Sequence, residues 1–310
     1  MSRFGDRVLD ATDRMVRMPR VPALPPGGVV TLPGRGHTYV TDTGGLGPVA
    51  GQHAEEQPAA GPRPTLVLLH ALACTGLLTW YPSLDVLSKR YRLVIFDQRW
   101  HGQGIRSPQF VLDELADDVV AVADALGIDT FFAAGFSLGS LVAQLVARRH
   151  PDRIDGMVLC AGTTHFGTNE RTQAGLRSLS MRATRAGFGL QMAASGSTGD
   201  ADSPQGRWAW QQFRSTSGKQ ISGAAAVISG FDSRGWIGEQ TLPTSVVVTA
   251  RDRLISPERQ RALARSIPGA TIYEAPSGHA SCVIGAERFT PALVAACASV
   301  ATRAGTRVQP

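Results

Sequence analysis

An alternation constrains this chain more than any other feature: short apolar, β-branched runs recur along it, with helical patterns between them. The runs cover residues 65–70, 92–97, 130–135, 156–162 and 245–250, each as long as a buried strand and each ending at a turn or a small polar residue. Residues 84–91, 111–126 and 138–150 instead repeat their apolar positions with helical periodicity. Strands alternating with helices pair in parallel, because each helix returns the chain to the same end of the sheet. The pattern therefore predicts an α/β fold, a mostly parallel sheet with helices on both faces. Upstream, 29–32 and 37–41 flank Pro33-Gly34-Arg35-Gly36 and predict an antiparallel hairpin at a sheet edge. Residues 44–63 lack periodicity and read as an exposed loop, while 271–275 and 286–303 read as a last strand and a last helix.

From His165 to about Gln240 the alternation stops: there are helix-like pieces, Gly and Ser clusters and three of the five tryptophans, but no strand-like run. An insertion of that size between two strands predicts a helical cap over one end of the sheet. The expected organisation is an N-terminal amphipathic helix and Pro/Gly linker at 1–28, a core made of 29–164 and 241–310, and a cap at 165–240. In the segment 4–18, Phe4, Val8, Met15 and Val16 share one helical face. Packing on its own domain or on a partner subunit is the expected use of that face. Arg3, Arg7, Arg14, Arg17 and Arg20 raise peripheral membrane contact through 1–20 as the alternative, against which Asp6, Asp10 and Asp13 count.

With 310 residues, 43% of them hydrophobic and 18% charged, the chain can bury a large core without disulfides. Cys74, Cys160, Cys282 and Cys297 lie scattered in apolar stretches, so they read as buried free thiols in a reducing compartment, and no structural zinc is expected. The first 20 residues are charged throughout and hold no secretory apolar run, which makes a cytoplasmic location the expectation. Net charge is +6, yet Lys89 and Lys219 are the only lysines and the arginines are dispersed, so no nucleic-acid partner is expected.

The sharpest chemical signal is Gly135-Phe136-Ser137-Leu138-Gly139, placed where an apolar strand ends and a helical pattern begins. A serine there sits on a tight turn whose flanking residues must be small, and the following helix aims its N–H groups and positive dipole end at the hydroxyl. Such a nucleophile needs a base and a carboxylate to orient it. Among seven histidines, His279 follows the last strand, in Pro276-Ser277-Gly278-His279, and reaches the carboxyl edge of the sheet. Asp252 follows the run 245–250 and emerges at the same edge. The chain order is then Ser137, Asp252, His279.

With these residues in place, the chain from about 29 to its end resembles the α/β-hydrolases. The likeness rests on Leu68-Leu69-His70-Ala71-Leu72, on Asp97-Gln98-Arg99-Trp100-His101-Gly102-Gln103-Gly104, on the serine elbow, on Asp252-Arg253-Leu254-Ile255-Ser256-Pro257 and on Gly278-His279. It implies an α/β-hydrolase fold, a Ser137–His279–Asp252 triad, and backbone N–H groups of Leu72 and Leu138 as the oxyanion donors. Ala71 and Trp100 stand where the family pattern has glycine: a positive φ at Ala71 would strain or reshape the oxyanion loop, and the Trp100 ring would narrow or line the site. Substrate-pocket candidates are Trp100, Phe136, Trp208 and Trp210, although the cap tryptophans with Phe213 also serve a cap core. His70 and His101 read as loop hydrogen-bonders, Asp97 as a loop anchor paired with Arg99, Ser140 as an early helix residue and Cys282 as a packed thiol.

The expected activity is hydrolysis of a small-molecule ester or lipid-like substrate with a hydrophobic acyl group, through an acyl-enzyme. No metal or organic cofactor is expected, because the triad generates its own nucleophile. Serine at the elbow argues against epoxide and carbon–halogen cleavage, for which related proteins use aspartate. Carbon–carbon bond hydrolysis and acyl transfer remain open on the same triad, as does a non-catalytic scaffold docking through its N-terminal helix.

Overall fold

The computed structural model describes residues 21, 23–45, 63–166 and 204–306. Its strands are β1 (Gly27–Leu32), β2 (Gly36–Asp42), β3 (Thr65–Leu69), β4 (Arg92–Phe96), β5 (Phe131–Phe136), β6 (Ile154–Cys160), β7 (Thr244–Thr249) and β8 (Thr271–Ala275). They form one 8-stranded sheet in the order β1-β2-β4-β3-β5-β6-β7-β8. β2 runs antiparallel to β1 and β4, and the remaining neighbours are parallel. The chain lays β4 on one side of β3 and β5 on the other, so the strand order reverses between β3 and β5, the place where sheets of this kind carry their sites.

The central strands read as continuous apolar runs because both faces are covered. Side chains alternate between faces, and the core divides accordingly. Val67, Val94, Ala133, Leu159 and Val246 meet one set of helices, while Leu66, Leu93, Phe132, Val158 and Val247 meet the other. On the first face lie α3 (Leu112–Ala125) and α4 (Leu138–Arg149), which contribute Leu115, Val119, Leu141 and Val142. On the second lie the short helices α1 (Gly76–Trp80) and α2 (Leu84–Ser88), with Leu78 and Leu87 in that core.

Between β6 and β7 stand α5 (Pro204–Arg214) and α6 (Gly218–Ile228). α6 starts at a capping box, Ser217 with Gln220, that satisfies two of the donors a helix leaves unpaired. The insertion is pinned at its base by a bridge between His165 and Asp232 and by Ser233 N–H donating to the Thr164 carbonyl at 2.7 Å. It is tied to the core loops by Thr75 Oγ1 donating to Gln212 Oε1 at 2.8 Å and Gly102 N–H donating to Thr216 Oγ1 at 3.0 Å. After β7 comes α7 (Pro257–Ser266), and α8 (Ala286–Arg303) closes the second face with Phe289, Leu293 and Val300.

Most expected elements are present, with shifted ends. β1 begins at Gly27, inside the segment read as linker, because its backbone pairs with Thr41 across the hairpin. β6 runs two residues earlier than expected at each end, paired with β5 from Ile154 onward. α1 and α7 were not legible as periodic segments. The segment 4–18 expected as a helix, most of the loop expected at 44–63 and residues 167–203 of the expected cap lie outside the described residues.

Candidate active site

β5 delivers Ser137 to the carboxyl end of the sheet, where α4 begins at the next residue. Ser137 takes φ 53° and ψ −110°, a conformation that non-glycine residues rarely adopt. Its neighbours explain how the turn closes. A Cβ on Gly135 would lie 2.1 Å from the Gly139 carbonyl oxygen, and a Cβ on Gly139 would lie 2.1 Å from that of Leu69. The Ser137 N–H donates to the Cys160 carbonyl at 2.9 Å, while the Ser137 carbonyl accepts from Ser140 N–H at 2.9 Å and from Ser140 Oγ at 2.7 Å. Ser140 thus braces the elbow from the first turn of α4.

His279, in the loop between β8 and α8, places Nε2 3.0 Å from Ser137 Oγ and Nδ1 2.7 Å from Asp252 Oδ2. An ionised carboxylate only accepts, so Nδ1 carries the proton and Nε2 presents its lone pair to the serine hydroxyl. This is the tautomer a general base requires. Asp252, whose side chain is wholly buried, is held on both oxygens. Oδ1 accepts from the N–H groups of Leu254 and Ile255 at 2.8 and 3.0 Å, and Oδ2 also accepts from Thr249 Oγ1 at 2.8 Å and Gln260 Nε2 at 3.1 Å. The structure brings Ser137, Asp252 and His279 together as expected from their positions after β5, β7 and β8.

Leu72 and Leu138 each keep a backbone N–H with no hydrogen-bond partner among the described residues. Leu72 lies on the loop that follows β3 and Leu138 opens α4 just after β5, and β3 and β5 are neighbouring strands in the sheet. Ala71 has no positive φ, whereas Ala73, two residues on, takes φ 67°. Trp100 does take the glycine-like conformation, φ 68°. Its ring packs against Phe110 at 5.4 Å between centroids, its Nε1–H donates to the Ser107 carbonyl at 2.8 Å, and a Cβ on Gly223 of α6 would lie 2.8 Å from it. It fills the joint between this loop and α6.

Phe136 is fully buried, edge-on to His279 at 5.7 Å and to Phe289 at 5.4 Å, so it supports the base from below. Trp208 meets Tyr81 at 5.5 Å and Trp210 stacks on Phe213 at 6.1 Å; both are half-buried and pack on the second core. Asp97 anchors its loop, accepting from Gly76 N–H and Gln103 N–H at 2.8 Å each, and burial raises its pKa. It does not pair with Arg99, whose guanidinium instead grips Asp118 on α3 at 2.9 Å through both Nε and Nη2.

His70 donates from Nδ1 to the Ala71 carbonyl and accepts from Gln98 N–H at Nε2, both at 2.8 Å. His101 lies 5.0 Å away, with Nδ1 2.9 Å from the Arg99 carbonyl. Burial drives His70 well below the usual imidazole range and His101 down to about 4. Both are neutral loop residues. Cys160, Cys282 and Cys297 are buried free thiols, whereas Cys74 is only partly covered; burial raises all four, Cys74 and Cys297 to about 12. Among the described residues no group of three or more His, Cys, Asp or Glu is arranged to hold a metal ion. Thr249 and Gln260 were missed at the sequence level, although Ser256-Pro257-Glu258 is a helix-start signal that places Gln260 one turn into α7, facing back on Asp252.

A fold with a serine on a strand–helix elbow and an imidazole between it and a buried carboxylate defines a hydrolase scaffold, and comparison with known proteins agrees. The family model described as alpha/beta hydrolase fold matches residues 64–286, and the chain belongs to that family. A RutD protein of Caulobacter vibrioides, named as a carbamate hydrolase, is 34% identical over 121 residues, which is 38% of this chain and 44% of that protein. The match thus spans less than half of that relative's length. A pyrrolizixenacetamide deacetylase of Xenorhabdus hominickii is 27% identical over 252 residues, 74% of this chain and 89% of its own. A hydrolase crystal structure from Pseudomonas aeruginosa aligns with a TM-score of 0.70 at 22% identity, covering 87% of this chain and 98% of that one, which shows the shared fold.

Proposed function

We propose that this protein is a serine hydrolase that cleaves a carboxylic ester by way of an acyl-enzyme on Ser137. The observation that carries this reading is the hydrogen-bonded chain Ser137 Oγ–His279–Asp252, at 3.0 and 2.7 Å. His279 Nε2 takes the hydroxyl proton as Oγ attacks the ester carbonyl, and Asp252 stabilises the imidazolium that forms. The N–H groups of Leu72 and Leu138 receive the developing oxyanion; losing one such donor typically costs about 2.7–4 kcal/mol of transition-state stabilisation. The imidazolium then protonates the leaving alcohol, and His279 activates the water that releases the acid. An apolar acyl group is favoured because the first donor belongs to the half-buried Leu72, which packs on the core beside the site.

Intact-mass spectrometry after fluorophosphonate treatment tests this reading. Wild-type protein is expected to gain one adduct, Ser137→Ala none, and His279→Ala an adduct at a rate lower by about a thousandfold, the scale of a lost general base. Folded wild-type protein that takes no adduct would overturn the proposal.

A further inference from the structure

Beside the carboxylate that holds His279 lies an amide that none of the sequence motifs includes. Gln260, in the first turns of α7, is wholly buried. Each end of its amide is fixed by a backbone group with a single role. The Thr249 N–H, which can only donate, reaches Oε1 at 2.9 Å, and the Ile255 carbonyl, which can only accept, faces Nε2 at 2.7 Å. Exchanging the amide's ends would set acceptor against acceptor and donor against donor, so the backbone determines which end faces Asp252. The other Nε2 hydrogen is shared between Thr249 Oγ1 at 2.8 Å and Asp252 Oδ2 at 3.1 Å. The Thr249 hydroxyl donates its hydrogen bond to Oδ2 at 2.8 Å, because an ionised carboxylate is a better acceptor than the amide oxygen at 3.2 Å. Oδ2 is the oxygen that receives His279 Nδ1–H.

We propose that Gln260, together with Thr249, is a positioning residue of the hydrolytic site: it fixes the rotation of the Asp252 carboxylate so that Oδ2 faces the imidazole, and through it sets the tautomer and aim of His279. This rests on the triad reading above. Packing alone does not account for the residue. The amide satisfies the Thr249 N–H and the Ile255 carbonyl, which an apolar side chain of the same length would leave unpaired, but its remaining donor is not needed for that and is aimed at Asp252. The two backbone N–H groups on Oδ1 hold one oxygen; Gln260 and Thr249 hold the one that matters for the base.

The test measures the rate constant for labelling of Ser137 by a fluorophosphonate, with kcat and KM for a p-nitrophenyl ester that wild type turns over. Gln260→Met keeps length and removes the donor. Labelling and kcat are expected to fall roughly tenfold or more, as for a misaimed catalytic group, with KM unchanged. In an Asp252→Asn background the same substitution is expected to have no further effect, because the amide acts through that carboxylate. Thr249→Val is expected to slow labelling in the same sense and Thr249→Ser to retain the wild-type rate; should Gln260→Met fail to fold by circular dichroism, this pair decides alone. A Gln260→Met protein that reacts at the wild-type rate, a loss of equal size in the Asp252→Asn background, or Thr249→Val and Thr249→Ser behaving alike would each overturn the inference. Wild type that takes no label, or label that persists in Ser137→Ala, would overturn the triad reading and this inference with it; Ser137-dependent label indifferent to Gln260 and Thr249 would sink this inference alone.

Discussion

Ser137 and Trp100 both hold left-handed backbone, but different neighbours maintain it. At Ser137 the glycines leave no alternative: Gly139→Ala would drive a methyl into the Leu69 carbonyl, and backbone cannot yield as a side-chain tip can. That variant is expected to lose at least about 3 kcal/mol in urea unfolding, the size of a serious core overpacking, and to lose fluorophosphonate labelling. At Trp100 the ring maintains the conformation through Phe110, Ser107 and the close approach of Gly223. Trp100→Gly relieves a left-handed strain of roughly 1–2 kcal/mol but deletes a packed indole, for which truncation costs about 3–5 kcal/mol. Packing wins, so the variant is expected to be less stable by about 1–4 kcal/mol, the difference of those ranges; a urea midpoint at or above wild type would show that the ring contributes nothing.

Elements were legible where a single periodicity ran long enough. β3, β4, β5 and β7 carry unbroken apolar runs because both their faces are covered, and α3, α4 and α8 are long enough to show a stripe. The placement of Ser137, Asp252 and His279 at one edge of the sheet was legible because each follows a strand that could be read, β5, β7 or β8. α1 escaped because five residues make no stripe; it exists through Thr75, whose hydroxyl caps Leu78 N–H at 3.1 Å, and through Gly76, which fits under Phe96. Ion pairing between elements was equally invisible. Asp118 on α3, its side chain 1% exposed, joins Arg35 of the β1–β2 turn and Arg99 of the loop after β4. Sequence distance hid that partnership, and Asp97 lay closer to hand. Glu114 also pairs with both arginines, at 2.5 and 3.2 Å, so Asp118→Ala removes the buried partner and leaves the exposed one, and the cost is expected to fall below the ~3–5 kcal/mol of a fully broken buried pair. The urea midpoint is expected to fall accordingly, and an unchanged midpoint would mean that water replaces the carboxylate at no cost.

Across the whole molecule, buried imidazoles set the response to acid. Unfolded histidine takes up protons below about pH 6.5, whereas His101 stays neutral in the folded chain down to about 4 and His70 is likewise driven well below the usual range. Between those limits the unfolded state binds more protons than the folded one, so stability rises with pH and is lost as pH falls. Each imidazole contributes a slope of about 1.4 kcal/mol per pH unit across its window. Asp97 acts in the opposite sense: its raised pKa lets the folded carboxyl take a proton first, which offsets part of the loss near the bottom of the range. The net charge of +6 at neutral pH grows as carboxylates protonate, and self-repulsion then adds to the histidine effect. Urea unfolding at a series of pH values from 7 to roughly 4.5 is therefore expected to show stability falling steadily with acid over the imidazole window. His101→Asn separates the imidazole from general repulsion, because its amide N–H can still reach the Arg99 carbonyl but does not titrate. The slope in that variant is expected to be shallower by about 1.4 kcal/mol per pH unit, and identical slopes in the two proteins would assign the acid sensitivity to charge repulsion and not to the buried ring.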